Sequence, residues 1–380
     1  WHPGEKRARG RGEMQASEIA AKPFRRGRTP PPGITNPQYF HKVVDCQWAC
    51  PTHTPVPEYI RLIAQGQYAA AYMLNWESNV FPGILGRVCD RPCEPACRRG
   101  RIQVGDEGNA KDPSKKNAEP VAICRLKRVA ADYKGEIDSF LPKIPTQKNG
   151  KRIALIGAGP ASLAVARDLM PLGYDITLYE RDPVPGGLMR TNIPSFRLPA
   201  GVLDEEVGII LNMGVHARFG AEITSLKALH SEGYDAIFVG TGAPKGKDLE
   251  LPGRAEAAAN IHIGIDWLTS VAFGHVEKIG RRVVVIGGGN TAMDCCRTAL
   301  RLGAEAVTVT VRSPRKVMKA SDWEIKDALY EGIPILDNHA PKSFVLKDGK
   351  LAGVTFEKMV VTGTDAKGRP KLEASGELVT

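Results

Sequence analysis

The sequence predicts an α/β chain: a helical N-terminal region followed by two parallel strand–helix–strand units. Three observations predict it. A short apolar strand, a glycine-rich turn and a helix follow one another at residues 152–172 and again at 282–302. Six of the eight cysteines fall between Cys46 and Cys124, where apolar spacing is helical. The composition is that of a globular chain, 380 residues with 42% hydrophobic and 25% charged, which excludes a largely disordered or fibrous protein. The length fits about two to three domains.

Residues 1–40 read as a basic irregular arm. Its first thirty residues carry eight Lys and Arg against three Glu, and Thr29-Pro-Pro-Pro-Gly33 forbids helix and strand. A basic arm can mark nucleic acid, but among these charges the sole interleaved aromatic is Phe24 and no nucleic-acid motif follows. A solvated arm on a partner subunit accounts for it better, and no nucleic-acid partner is expected. Residues 41–142 read as a helical domain. Val56–Ile63 has helical apolar spacing with Pro57 near its start, Tyr68–Leu74 forms a second helix and Val121–Tyr133 a third. Asp106–Pro120 is polar and reads as an exposed loop; Lys143–Gly150 is a linker. The first strand–helix–strand unit then occupies 150–250 and the second 251–380.

In the first unit, Gly157-Ala-Gly159-Pro160-Ala161-Ser162 lies between strand Ile153–Ile156 and a helix over Ala161–Leu172. Gly157 permits the tight turn. Gly159 lets backbone approach a pyrophosphate, whose charge meets the helix N-terminus. Ser162 stands where a third Gly or Ala is usual and is itself small, so close helix–strand packing is expected to survive. Glu180 ends the next strand, Tyr174–Tyr179, where a carboxylate accepts from ribose hydroxyls. In the second unit, Gly287-Gly-Gly289-Asn290-Thr291-Ala292 follows strand Arg282–Ile286 and opens a helix through Leu302. Its second strand, Ala306–Val311, ends not in an acid but in Arg312-Ser-Pro-Arg315. Arginine there pairs with a 2′-phosphate that an acid would repel. These are two Rossmann-like sites: FAD at the first, and at the second NADP(H) in preference to NAD(H), although Ser313 in place of a second Arg leaves NADH open. A solvated strand end is the plain alternative for the arginines.

Cys46 and Cys50 are four residues apart, as are Cys89, Cys93 and Cys97, in Cys89-Asp-Arg-Pro-Cys93-Glu-Pro-Ala-Cys97. Such spacing stacks sulfurs on one helical face, unless prolines break it into loop. Cys124 is a further candidate ligand. With no apolar block in the first thirty residues to read as a secretory signal, a cytoplasmic, reducing compartment is expected, where clustered thiols hold zinc or an iron–sulfur centre rather than disulfides. Six thiols complete one four-thiolate cluster, or two with help from other groups. Cys295 and Cys296, on the helix after the second glycine turn, read as core packing. No run of about eighteen apolar residues predicts a membrane span.

Taken together, these motifs resemble the small (beta) subunit of NADPH-dependent glutamate synthase and related FAD/iron–sulfur NAD(P)H oxidoreductase subunits. The likeness covers about residues 40–380. Besides both glycine turns and the cysteines, it rests on Gly86-Arg-Val-Cys89, Gly186-Gly187-Leu188, Ile193-Pro-Ser-Phe-Arg197-Leu-Pro199 and Gly287-Gly-Gly-Asn-Thr-Ala-Met-Asp294. The resemblance implies an N-terminal helical domain with two [4Fe–4S] clusters, an FAD domain and an NADPH domain inserted within the FAD domain. It implies that Cys50, Cys89 and Cys93 hold one cluster with a fourth ligand from the region after Val121, and that Cys46 and Cys97 belong to another. It places Gly186, Gly187, Leu188 and Arg197 in a flavin-side loop; turn glycines and a surface arginine are the plain alternative. Gly242 completes the cofactor-binding set. The chain departs from the family twice. No cysteine occupies Gln38–Asp45, so one or two clusters are expected. No Gly-Gly-Asp segment precedes Thr380, so a C-terminal FAD-covering segment is expected to be missing.

The implied activity is hydride transfer from the nicotinamide to FAD, then single electrons through [4Fe–4S] to or from a partner subunit or ferredoxin. No side-chain acid or base is named, because the cofactors carry the chemistry. Two alternatives stand beside it. One is a stand-alone FAD-dependent NAD(P)H reductase with its own substrate; its disulfide-reductase form needs a cysteine pair beside the flavin, and the glycine motifs carry none. The other is a non-redox assembly subunit whose cysteines hold zinc.

Overall fold

The computed structural model describes residues 44–101, 119–366 and 368–380. The basic arm expected over 1–40 and most of the loop expected over 106–120 lie outside the described residues. The chain packs as two compact units. One holds the residues up to Pro185 together with Arg197–Gly240; the other holds Gly186–Phe196 together with Thr241–Thr380.

The first unit begins with helices α1 (Asp45–Ala49), α2 (Val56–Ala64), α3 (Tyr68–Ser78), α4 (Pro82–Val88) and α5 (Ile123–Asp132). Pro57 sits in the first turn of α2, where a missing N–H costs nothing. α2 buries Val56, Tyr59 and Leu62, the three-residue stripe that the apolar spacing dictates. They share a core with Ala71, Leu74, Ile123 and the thiols of Cys93, Cys97 and Cys124. The Tyr59 hydroxyl donates to the Ile123 carbonyl at 3.0 Å, pinning the start of α5 to α2.

The same unit continues with β1 (Arg152–Ile156), α6 (Pro160–Leu169) and β2 (Asp175–Glu180). After the short α7 (Leu188–Thr191), which falls in the second unit, come α8 (Ala200–Leu211), β3 (His216–Phe219), α9 (Leu226–Ser231) and β4 (Ala236–Val239). All pairs are parallel and the sheet order is β3-β2-β1-β4. Ile153–Ile156 of β1 are buried, as a central parallel strand requires. Two buried polar groups tie this sheet's helices to the N-terminal ones. Arg167 on α6 stacks 4.7 Å over the Trp76 ring and donates to the Trp76 carbonyl. Glu206 on α8 accepts from the backbone N–H groups of Gly83 (2.7 Å) and Ile84 (2.9 Å), at the start of α4, and from the Tyr72 hydroxyl.

The second unit holds α10 (Gly264–Ala272), β5 (Arg282–Ile286), α11 (Asn290–Arg301), β6 (Ala306–Thr310), α12 (Asp322–Tyr330) and β7 (Ile335–Leu336). The three strands pair in parallel, in the order β5-β6-β7. Their core includes Met293, Cys296, Val309, Ala328 and Ile333. Cys295 and Cys296 both lie in it, as the core-packing expectation holds, and burial pushes both thiols up to about 12. An antiparallel sheet of β8 (His339–Lys347), β9 (Lys350–Thr364) and β10 (Pro370–Val379) follows. The sequence analysis did not anticipate it.

Candidate functional site: two glycine turns and a thiol cluster

The first turn leaves β1 at Gly157, whose φ of +90° is one that side chains avoid. The Gly157 N–H donates to the Tyr179 carbonyl at 2.7 Å, carrying the β1–β2 ladder into the turn. Gly159 is different. Its backbone is extended (φ −78°, ψ 177°), and an added Cβ would meet only the Gly240 carbonyl, at 3.9 Å. The protein's own packing does not require glycine there, and its absent side chain leaves the backbone open to close approach. Pro160 opens α6 and, with Ala161, is exposed at the mouth of the turn. Ser162 is fully buried, and an added Cβ on Gly240 would lie 2.2 Å from its Oγ. The small residue expected at Ser162 thus meets a second small residue, Gly240, which the sequence analysis missed.

Glu180 ends β2, is buried, and accepts from the N–H groups of Ala158 (2.6 Å) and Asp182 (3.0 Å). Its carboxylate braces the glycine turn directly, a role the sequence analysis did not foresee. A carboxylate retains further lone pairs for a ribose hydroxyl.

The second turn repeats the geometry. Gly287 has φ +150°, and Gly289 is extended (φ −103°, ψ 174°) with nothing within 4 Å of an added Cβ. Gly288 lies tight against Val311, 2.8 Å from its Cγ1 to an added Cβ. Asn290 faces inward: its Oδ1 accepts from the Ser321 N–H at 2.8 Å. Thr291 is exposed. Arg312 is exposed just beyond β6 and makes no ion pair or hydrogen bond among the described residues. Arg315 instead donates from its guanidinium to the Ile335 carbonyl at 2.9 Å, while its N–H meets Asp337. The N–H groups of Lys319 and Ala320 donate to the Gly288 carbonyl, closing the basic loop after Arg315 onto the turn. Gly186, Gly187 and Leu188 open α7, and Gly242 follows β4 with φ +68°; all four fall in the second unit, Arg197 in the first.

All eight cysteines are free thiols. Cys46 lies in α1 and Cys50 caps its C-terminal end; Cys89 caps α4, and Pro92 and Pro95 turn the chain through Cys93 to Cys97. The prolines thus replace a helical stack with loop. The Cys124 thiol hydrogen-bonds both Cys89 and Cys93. That contact holds Cys89 down to about 6 and lowers Cys93, while Cys124, the donor, is raised. Cys46 instead interacts with Cys97 and Cys93. The Cys50 thiol lies 3.3 Å from the hydroxyls of both Thr52 and Thr54. Among the described residues no three Cys, His, Asp or Glu side chains enclose a ready-made metal position; as thiols they bond one another. Their chemistry fits an iron–sulfur centre: soft donors in an apolar core, deprotonated on binding.

The chain is similar to known oxidoreductases. Residues 151–368 match the pyridine nucleotide-disulphide oxidoreductase family, and residues 40–138 match dihydropyrimidine dehydrogenase domain II, 4Fe–4S cluster. The β subunit of NADPH-Fe(3+) oxidoreductase from Geobacter sulfurreducens is 34% identical over 354 residues, covering 90% of this chain and 50% of that protein. The chain spans about half the length of the first curated relatives it matches. The glutamate synthase [NADPH] small chain of Escherichia coli is 33% identical over 345 residues, 86% of this chain and 69% of that one. Among solved structures, Mycobacterium tuberculosis FprA in complex with NADPH shares the fold at 16% identity, with a TM-score of 0.52 over 60% of this chain and 68% of that one. Among the described residues no helix is long and apolar enough to cross a membrane. The chain belongs to the pyridine nucleotide-disulphide oxidoreductase family and, within it, to the glutamate synthase small-chain oxidoreductases, with an N-terminal 4Fe–4S region of the dihydropyrimidine dehydrogenase type.

Proposed function

We propose that this chain passes electrons between NADP(H), FAD and a [4Fe–4S] centre, to or from a partner oxidoreductase subunit or ferredoxin in the cytoplasm. One observation carries the proposal. Gly159 and Gly289 are glycines that the chain's own backbone and packing do not require, each at the start of a helix and followed by a strand end of opposite charge. In this assignment residues 41–142 form the cluster domain, 150–250 the first part of the FAD domain and 251–380 the NAD(P)H domain.

Gly157, Gly159, Pro160 and Ala161 would cradle the FAD pyrophosphate at the N-terminus of α6, with Glu180 fixing the turn and accepting from the ribose. Gly287, Gly289, Asn290 and Thr291 would do the same for NADP(H) at α11, with Arg312 meeting the 2′-phosphate. Arg315 serves by shaping the loop. Cys89, Cys93 and Cys124 form one thiol set, with Cys50 nearby in sequence to α1; Cys46 and Cys97 form a second. When these groups are bound, the chemistry supplied is two-electron hydride exchange at the flavin and one-electron exchange at the cluster. The protein's share is alignment and electrostatics.

The test is anaerobic reconstitution of the full chain with FAD, iron and sulfide, followed by gel filtration and assay of each component. FAD, iron and labile sulfide should co-elute with the chain, and NADPH should then reduce ferricyanide. Retained zinc with no iron and no NADPH oxidation would instead favour a structural metal role.

A further inference from the structure

The buried face of α5 carries Ile123, Cys124, Lys127, Ala130 and Ala131. Lys127 is out of place in that company. It is only 4% exposed, yet among the described residues it makes no ion pair and no hydrogen bond. A buried ammonium without a partner is costly, and proteins retain one where an anion meets it. Lys127 stands three residues after Cys124, one helical turn along the same stripe.

We propose that Lys127 is the electrostatic partner of the iron–sulfur centre held by Cys89, Cys93 and Cys124, its ammonium stabilising the reduced, more negative form. The inference rests on the cluster assignment above. The charge of Lys127 reaches all three sulfurs, and it is set there against the opposite charges of Asp90 beside Cys89 and Glu94 beside Cys93. Glu94 is also tied down, its Oε1 accepting the Cys124 N–H at 3.0 Å. Lys127 is not a catalytic residue; it acts by charge on the group the thiols hold. Cluster potentials respond to local charge and burial in this way.

The experiment compares the wild-type chain with Lys127→Gln and Lys127→Arg after anaerobic reconstitution. Iron and sulfide are assayed, the fold is checked by circular dichroism, and the cluster is titrated by potential-controlled EPR. K127Q should lower the ratio of reduced to oxidised cluster about tenfold at a fixed potential, about 59 mV for one electron, and K127R should restore it. Should K127Q fold but lose its cluster while K127R keeps it, charge compensation is also supported. Equal potentials in wild type and K127Q, or equal damage in K127Q and K127R, would overturn the proposal. A wild-type chain that takes up no iron and sulfide removes the cluster assignment itself, and this proposal with it.

Discussion

The two glycine turns share one backbone design and differ in what surrounds it. The first lies against a central, buried strand, and its acid, Glu180, is turned inward onto the Ala158 N–H. The second leaves β5, an edge strand that is only partly buried, and the arginine after its partner strand is exposed and unpaired among the described residues. The first turn is therefore braced by its own carboxylate. The second leaves its arginine exposed, where we propose that it meets a 2′-phosphate. The same contrast appears in the buried charges that hold the neighbouring helices. In the first unit Glu206 is taken from water and pushed up to about 7 by burial, against two backbone N–H donors that favour its charged form. In the second, Arg297 meets Glu324, Asp327 and Glu331, and Arg301 joins them at Glu331. Those arginines, Arg301 first, hold Glu331 down to about 2.

The largest break in this comparison should come from Arg297→Met. It removes the arginine from the buried Glu324 and from Glu331 and loosens α11 from α12, at a cost of about 3–5 kcal/mol. Hydrogen exchange should show the loss across α11 and α12 and little change in β1–β4. The two units should also answer pH in opposite senses. Glu206 titrates above its unfolded value, so its contribution is complete below about pH 4.5 and is lost as pH rises through about 7. The difference is about 3 kcal/mol. Relative to Glu206→Gln, which does not titrate, the wild-type first unit should weaken over that window. Glu331 titrates below its unfolded value, so its contribution is complete above about pH 4.5 and is lost as pH falls through about 2. Exchange rates in each unit across pH 2–9 check both signs.

Arg312→Ala sharpens the contrast at the ligand. Loss of one charge-assisted contact to a 2′-phosphate is worth about 1.5–3 kcal/mol. The Kd for NADPH should rise about 10–100-fold, with NADH binding nearly unchanged, as read by calorimetry. The smallest effect should come from Gly240→Ala. Its Cβ would crowd the Ser162 Oγ and push α6 off the sheet, at about 1–3 kcal/mol. FAD retention should fall while NADPH binding holds.

Much of this was legible in the sequence because it is local. Strand Arg282–Ile286 and the proline-led α2 follow from residue patterns within a few positions. The features that were not legible depend on residues far apart in the chain. Spacing groups Cys89 with Cys93 and Cys97, but α5 returns against α2 and brings Cys124 to Cys89 and Cys93 instead. Glu206 looks like a surface residue on an amphipathic helix until Gly83 and Ile84, more than 120 positions earlier, supply its partners. Glu180 sits at the strand end where the sequence pattern predicts a ribose contact, and only the turn's curvature reveals that the Ala158 N–H donates to it. The β8–β10 sheet went unseen because the second glycine motif led residues 251–380 to be assigned to a nucleotide domain as a whole.

The central claim is that the first turn serves FAD, the second NADP(H), and that electrons pass between them and the cysteine cluster. Stepwise anaerobic addition of NADPH to the reconstituted chain, followed by visible spectroscopy, tests it most directly. The account predicts that the flavin bands bleach first and the broad iron–sulfur absorbance then falls, with NADH much less effective. Cluster absorbance that falls in flavin-free protein, or flavin that bleaches while the cluster stays oxidised, would contradict it.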